Sequence, residues 1–197
     1  HLYLIHSMGY KKNVSLRRIL DHTEVAHKFK YLAKTESVPD IIFCSMPTLE
    51  LGLVAVNFGK EHNVPVIIDL RDMWPDIFIN RAPKRYQSIL KIMLAYSFYQ
   101  IRTICKNATA ITGITPGYVE WGLQYAERNK SHLDRYFPIG YSNVSPVKEK
   151  IKLAETFWST YGIRSNNSEF IVCLFSNIVR QLELETVIEA AKRLETT

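Results

Sequence analysis

Three carboxylates recur within one short run, Asp69-Leu70-Arg71-Asp72-Met73-Trp74-Pro75-Asp76, with a guanidinium and an indole between them. Carboxylates accept hydrogen bonds from sugar hydroxyls, and the flat face of a tryptophan packs against a pyranose ring. Asp69, Trp74 and Asp76 are therefore candidates for binding a hydroxyl-bearing acceptor. Asp72 is a candidate general base or charge stabiliser, with the fork-shaped cation of Arg71 beside it. The same spacing also fits a structural arrangement in which Arg71 and Asp72 pair with nearby backbone while Trp74-Pro75 packs the loop, and spacing alone does not choose between the two.

Other chemistries find no foothold. The chain has no GxGxxG after a strand, no GxxxxGK[ST] and no GxSxG elbow, so dinucleotide, P-loop and serine-hydrolase readings lose their sequence support. His6, His22, His27, His62 and His132 do not stand at metal-ligand spacing, and no structural zinc is expected. Cys44, Cys105 and Cys173 are widely separated, each inside an apolar stretch, which fits buried thiols in a reducing compartment.

The elements that must position the carboxylate loop alternate between short β-type runs and helical stretches, the pattern of an α/β doubly wound parallel sheet of Rossmann-like type. His1 to His6 has the composition of a strand. From Ser15 to Lys34, Leu16, Ile19, Leu20, Phe29, Leu32 and Ala33 recur at helical spacing. Pro39 to Cys44 and Val64 to Leu70 are apolar runs of the kind buried on both faces of a sheet, and Pro47 opens a helix between them. One long helix is expected from Pro83 to Lys106. Ala108 to Gly113 is the next strand, Thr115-Pro116 caps and opens the helix after it, and Tyr136 to Gly140 is a strand end and turn.

A polar, proline-containing stretch at Ser142 to Pro146 marks the expected boundary between residues 1–142, a first domain, and 143–197, a linker and the start of a second. In that second part Lys148 to Tyr161 is helical, Glu169 to Phe175 is a strand and Leu184 to Leu194 is an amphipathic helix. Ligands of open parallel sheets gather at the carboxyl ends of the strands. Three stretches qualify here: Ser45-Met46-Pro47, which adds Ser45 to the acceptor-binding candidates, Asp69 to Asp76, and Gly113 to Pro116.

The chain carries 197 residues, 47% of them hydrophobic, enough for a sizeable core. Its formal charge of +6 is concentrated between residues 11 and 34, where Lys11, Lys12, Arg17, Arg18, Lys28, Lys30 and Lys34 face only Asp21 and Glu24. Such a stretch suits phosphates, anionic lipid headgroups or nucleic acid, and equally fits a solvated helix face. No apolar run reaches the roughly 18 to 20 residues of a spanning helix, and the first residues lack the layout of a signal peptide. A cytoplasmic protein is expected, with the inner membrane face as a candidate contact.

The run Val64-Pro-Val-Ile-Ile-Asp-Leu-Arg-Asp-Met-Trp-Pro-Asp76 resembles the strand and loop of group 1 (family 4) glycosyltransferases, in particular the branch that builds bacterial surface polysaccharides such as lipopolysaccharide and capsule. Pro39 to Pro47, Ala108 to Pro116 and Phe137-Pro-Ile-Gly140 follow in the family's order, and Phe170 to Ala191 is similar to the opening strand, loop and helix of its donor domain. The resemblance implies a GT-B architecture with 1–142 as most of the acceptor domain and 143–197 as the beginning of the nucleotide-sugar domain. The family pattern continues beyond both ends of the chain.

It also implies transfer of a sugar from a nucleotide diphosphate sugar to a hydroxyl, often on a lipid-linked saccharide, with retention. The nucleotide sugar is then a substrate, with no separate cofactor and no metal in the site. Asp72 and Arg71 would serve catalysis, and Asn177 and Arg180 would lie on the donor side, Arg180 matching a base that contacts the diphosphate. The patch from Lys11 to Lys34 would suit an anionic membrane surface. A sugar-nucleotide epimerase or an inactive GT-B homologue shares this architecture. A nucleic-acid-binding module is the remote alternative, since the basic helix interleaves only Phe29 and Tyr31 with its cations, and no nucleic-acid partner is expected.

Overall fold

The computed structural model describes residues 2–12, 15–46, 48–140, 143–163, 171–174 and 183–195. The chain divides into two compact units, residues 1–141 and 142–197.

The first unit is an α/β layer. Its parallel sheet has the order β1 (Ile42–Met46), β2 (Val66–Leu70), β3 (Ala110–Gly113) and β4 (Arg135–Tyr136). Among the described residues six helices accompany it: α1 (Leu16–Ala33), α2 (Leu49–His62), α3 (Asp76–Arg81), α4 (Lys84–Met93), α5 (Ala95–Asn107) and α6 (Pro116–Ala126). Each strand pairs with the next in sequence, so successive crossovers run the same way, and right-handed connections then place their helices on one face.

The core lies there, where Cys44, Met46, Val66, Ile68, Leu70 and Ile111 meet Val56 of α2, Ile101, Ile104 and Cys105 of α5, and Val119 of α6. Two glycines allow α2 and α6 to approach the strands closely. A Cβ on Gly59 would stand 2.2 Å from Val66 Cγ2 and 2.7 Å from the Val64 carbonyl, and one on Gly122 would stand 2.5 Å from Leu70 Cδ1. The strand after Pro39, expected in mid-sheet and buried on both faces, is instead the edge strand among the described residues: the other face of β1 presents Phe43 and Ser45, both exposed, because no described strand or helix covers it.

Local chemistry sets the element ends. Ser15 caps α1, its hydroxyl oxygen accepting from the Arg18 N–H at 3.3 Å. Asn63 closes α2 in the left-handed conformation at φ 58°. Pro116 sits in the first turn of α6, and Thr115 before it has the extended backbone of an N-cap without a side-chain capping bond. Thr48 precedes α2 in extended conformation, and Pro47 lies outside the described residues.

Expectations for three other elements also need correction. The first strand does not form over the described residues 2–6. Instead, residues 6–9 run along α1, whose side chains satisfy their backbone: Lys28 Nζ donates to the His6 carbonyl (2.8 Å), Glu24 accepts from Met8 N–H (3.0 Å), Asp21 accepts from Gly9 N–H (2.6 Å), and Arg17 Nε donates to the Gly9 carbonyl (3.0 Å). Positions 17, 21, 24 and 28 form one helical stripe, so α1 supplies what a neighbouring strand would have supplied.

The long helix from Pro83 to Lys106 is two helices broken at Leu94, whose N–H reaches the carbonyls of both Leu90 and Ile92. The break lets α5 bury Gln100, Ile101, Ile104 and Cys105, while α4 buries no residue. A further short helix, α3, occupies the stretch directly after the carboxylate loop.

The second unit contains α7 (Lys148–Ser159) and α8 (Leu184–Glu195). Of the strand expected over Glu169 to Phe175, residues 171–174 are described and are not in a strand, because no described segment pairs with them.

Candidate functional site at the carboxyl ends of the strands

The register of the sheet brings one residue from each strand into a single row: Ser45 opposite Asp69, Asp69 opposite Thr112, and Thr112 opposite Arg135. Their side chains share a face because strand side chains alternate. Asp69, 5% exposed, is the hub of this row. Its Oδ1 accepts from the Thr112 hydroxyl at 2.9 Å, and its Oδ2 accepts from the Ser45 hydroxyl at 3.3 Å and from Arg71 Nε at 2.5 Å. Asp69 therefore fixes Arg71 by its Nε, and the exposed remainder of the guanidinium faces outward from a buried anchor.

Asp72 is exposed at the bend that follows. Trp74 is half-buried, its ring meeting Phe78 edge-on at 4.8 Å, and the Trp74–Pro75 peptide is cis. Asp76 sits in the first turn of α3, where its Oδ2 accepts from Trp121 Nε1 (3.0 Å) and from the Tyr125 hydroxyl (2.6 Å). Burial and then the hydrogen bond to Asp76 push the Tyr125 phenol above its usual range, so it stays a donor. Asp76 thus clamps the end of the loop to α6.

The structure gives the predicted residues different surroundings. Asp69 and Asp76 are engaged in hydrogen bonds inside the protein, while Arg71, Asp72 and Ser45 are exposed beside them. Asn177 and Arg180 lie outside the described residues.

Sequence reasoning missed the wall opposite the loop. The Arg18 guanidinium of α1 lies over the Trp74 ring at 4.6 Å, which occupies one of the two faces offered for stacking, and Tyr10 is 5.6 Å from the same guanidinium. One turn on, His22 Nε2 accepts from Arg18 Nε at 3.4 Å, and His22 Nδ1 lies 3.9 Å from Glu50 of α2. Burial lowers the His22 pKa; Glu50 opposes this, Arg18 adds to it and Asp21 opposes it, and the net shift is downward. The ring is therefore neutral at pH 7, as its role as an Nε2 acceptor requires. The only trace of this wall in the sequence is the polar trio Arg18, Asp21 and His22 within an amphipathic helix.

A second polar cluster is structural. The fully buried Asp134 accepts both Arg128 guanidinium nitrogens (2.6 and 2.8 Å), the Ser131 N–H and hydroxyl (2.7 and 2.8 Å) and the Ile111 N–H of β3 (2.8 Å). It staples the turn after α6 to the centre of the sheet.

The arrangement as a whole is a polar shelf at the carboxyl ends of β1, β2 and β3, carrying an anchored guanidinium, an exposed carboxylate and an aromatic already backed by a second cation. It can bind a polyhydroxylated or anionic group and can accept a proton at Asp72. Among the described residues, no three His, Cys, Asp or Glu side chains are grouped so as to hold a metal ion. No family model, no curated protein and no solved structure matches this chain.

Proposed function

We propose that this chain supplies most of the acceptor domain and the opening of the donor domain of a GT-B glycosyltransferase. The enzyme would move a sugar from a nucleotide diphosphate sugar to a hydroxyl acceptor, a lipid-linked saccharide of cell-surface polysaccharide synthesis. The observation that carries this reading is the anchoring of Arg71 by buried Asp69 directly beside exposed Asp72, at the carboxyl end of a central parallel strand. The run from Val64 to Asp76, which resembles the family's strand and loop, is the sequence counterpart of that geometry.

In this reading Asp72 takes the acceptor proton or stabilises charge at the reacting centre. Arg71 presents its outer nitrogens to an oxyanion or a sugar hydroxyl, and Ser45 borders the acceptor. Asp69 orients Arg71, and Asp76 holds the loop in place. Asn177 and Arg180 are assigned to the donor side from resemblance alone, as are retention and the absence of a metal in the site.

The test is turnover of a panel of UDP- and GDP-sugars by the full-length protein, with membrane lipid extract as acceptor. Transfer should occur with at least one donor and fall about a hundredfold or more in the Asp72→Asn variant. Transfer that is unchanged in the variant would remove Asp72 from the chemistry, and no transfer from any donor would favour an inactive homologue or an epimerase.

A further inference from the structure

Helix α4 is placed with its apolar side outward. Ile89, Ile92 and Met93 stand at i, i+3 and i+4, the spacing that normally faces a core, yet they are 58%, 77% and 73% exposed. The inward positions are Gln87, Leu90 and Leu94, only partly buried, and no residue of α4 is buried. Tyr86 is exposed one turn before the stripe, and beyond the break at Leu94 the stacked pair Tyr96 and Tyr99 of α5 is exposed as well. An apolar stripe of this kind at the end of a well-packed layer marks a contact surface.

Charge identifies what the stripe meets. From residue 77 to residue 119 the sequence has no Asp or Glu, while Arg81, Lys84, Arg85 and Lys91 are all exposed around the stripe. Arg102 and Lys106, further along, are turned to Glu127 and belong to the fold. A second copy of the chain would bring the same cations face to face, which opposes self-association. A surface that is apolar within, negatively charged at its headgroups and hospitable to tyrosine at the boundary satisfies all three features together. Among the described residues no helix is long and apolar enough to cross a membrane, so the contact is one of lying on the bilayer.

We propose that α4 is a membrane-interfacial helix, seating Ile89, Ile92 and Met93 at the acyl boundary of an anionic leaflet with Arg81, Lys84, Arg85 and Lys91 among the headgroups. This seat is distinct from the basic stretch at Lys11 to Lys34. There, Arg17 and Lys28 already bond to the backbone of residues 8–9 and 6, and Arg18 lies over Trp74. Because α3 joins α4 to the loop ending at Asp76, an α4 lying on the bilayer brings the carboxylate loop close to the membrane surface. The proposal stands without the sugar-transfer reading, since vesicle binding needs neither donor nor acceptor.

The experiment is flotation of the whole chain with phosphatidylglycerol–phosphatidylcholine vesicles and with phosphatidylcholine vesicles. The variants are Ile89→Ser/Ile92→Ser/Met93→Ser, Lys84→Glu/Arg85→Glu/Lys91→Glu, and Lys11→Glu/Lys12→Glu/Lys30→Glu/Lys34→Glu, each checked by circular dichroism for retained fold. The chain should bind the anionic vesicles preferentially. Both α4 variants should lose about tenfold or more in partitioning, and the α1 variant should lose less than either. Equal binding by wild type and the serine variant, loss confined to the α1 variant, or no binding of the wild type to anionic vesicles would each overturn it. So would concentration-dependent dimerisation abolished by the serine variant, which would assign the stripe to a second copy.

Discussion

Arg18 of α1 lies with its guanidinium 4.6 Å from the centre of the Trp74 ring, joining a helix near the start of the chain to the loop that follows β2. The contact gives the carboxylate loop a second wall and leaves the indole only one face for a ligand. It also removes Arg18 from the basic patch in which the sequence had placed it.

The Arg18–Trp74 contact should be measurable as a coupling. In a double-mutant cycle of Arg18→Ala and Trp74→Leu, followed by urea unfolding, an interaction of roughly 0.5 to 1 kcal/mol is expected, the range of a partly exposed cation–π pair. Additive effects of the two substitutions would show that α1 and the loop are held together by other contacts.

Asp134 should make stability fall in acid. Burial by itself would raise its pKa, but hydrogen bonds from Arg128, from the Ser131 and Ile111 N–H groups and from the Ser131 hydroxyl outweigh it and hold the carboxyl well below its ordinary range. The unfolded chain then binds more protons than the folded one in that range. The contribution is complete above the ordinary aspartate pKa of about 3.9 and is lost as the pH falls through the folded value. Asp134→Ala should cost about 3 to 5 kcal/mol at pH 7, because it leaves Arg128 and the Ile111 N–H without their partner. The gap between wild type and variant, followed by urea midpoints from pH 7 downward, should narrow below about pH 4.

The thiols should divide by burial. Burial pushes Cys44 up to about 11 and Cys105 up to about 12, while Cys173, expected from its apolar neighbours to be buried, is exposed. A disulfide reagent at pH 8 should modify Cys173 rapidly in the native chain and reach Cys44 and Cys105 only after urea is added. Rapid native modification at Cys105 would mean that the core between α5 and the sheet opens readily.

How much of this was legible in the sequence varies by element. The strands at Ile42–Met46, Val66–Leu70 and Ala110–Gly113 each lie in or overlap an apolar run next to a turn signal, and α1, α2 and α6 follow from periodicity and caps. Residues 2–6 are also rich in apolar side chains and form no strand, and the segment that ends and follows them, residues 6–9, has its backbone bonded by the α1 stripe of Arg17, Asp21, Glu24 and Lys28. The break at Leu94 left no trace either, since neither glycine nor proline marks it.

At the candidate site, the order of residues alone establishes which chemical groups are present and that they follow a buried strand. Asp69, Arg71, Asp72, Trp74 and Asp76 are neighbours in the chain, and no fold could separate them widely. Their different surroundings come from contacts between distant segments. Asp69 turns inward because the parallel register sets it between Ser45 and Thr112, 24 residues before it and 43 after it. Asp76 is held because α6 brings Trp121 and Tyr125 across, and Trp74 is backed because α1 delivers Arg18. Local propensity and spacing are properties of a few consecutive residues, whereas hydrogen-bond partners for a buried carboxylate come from strands and helices that meet only when the sheet forms.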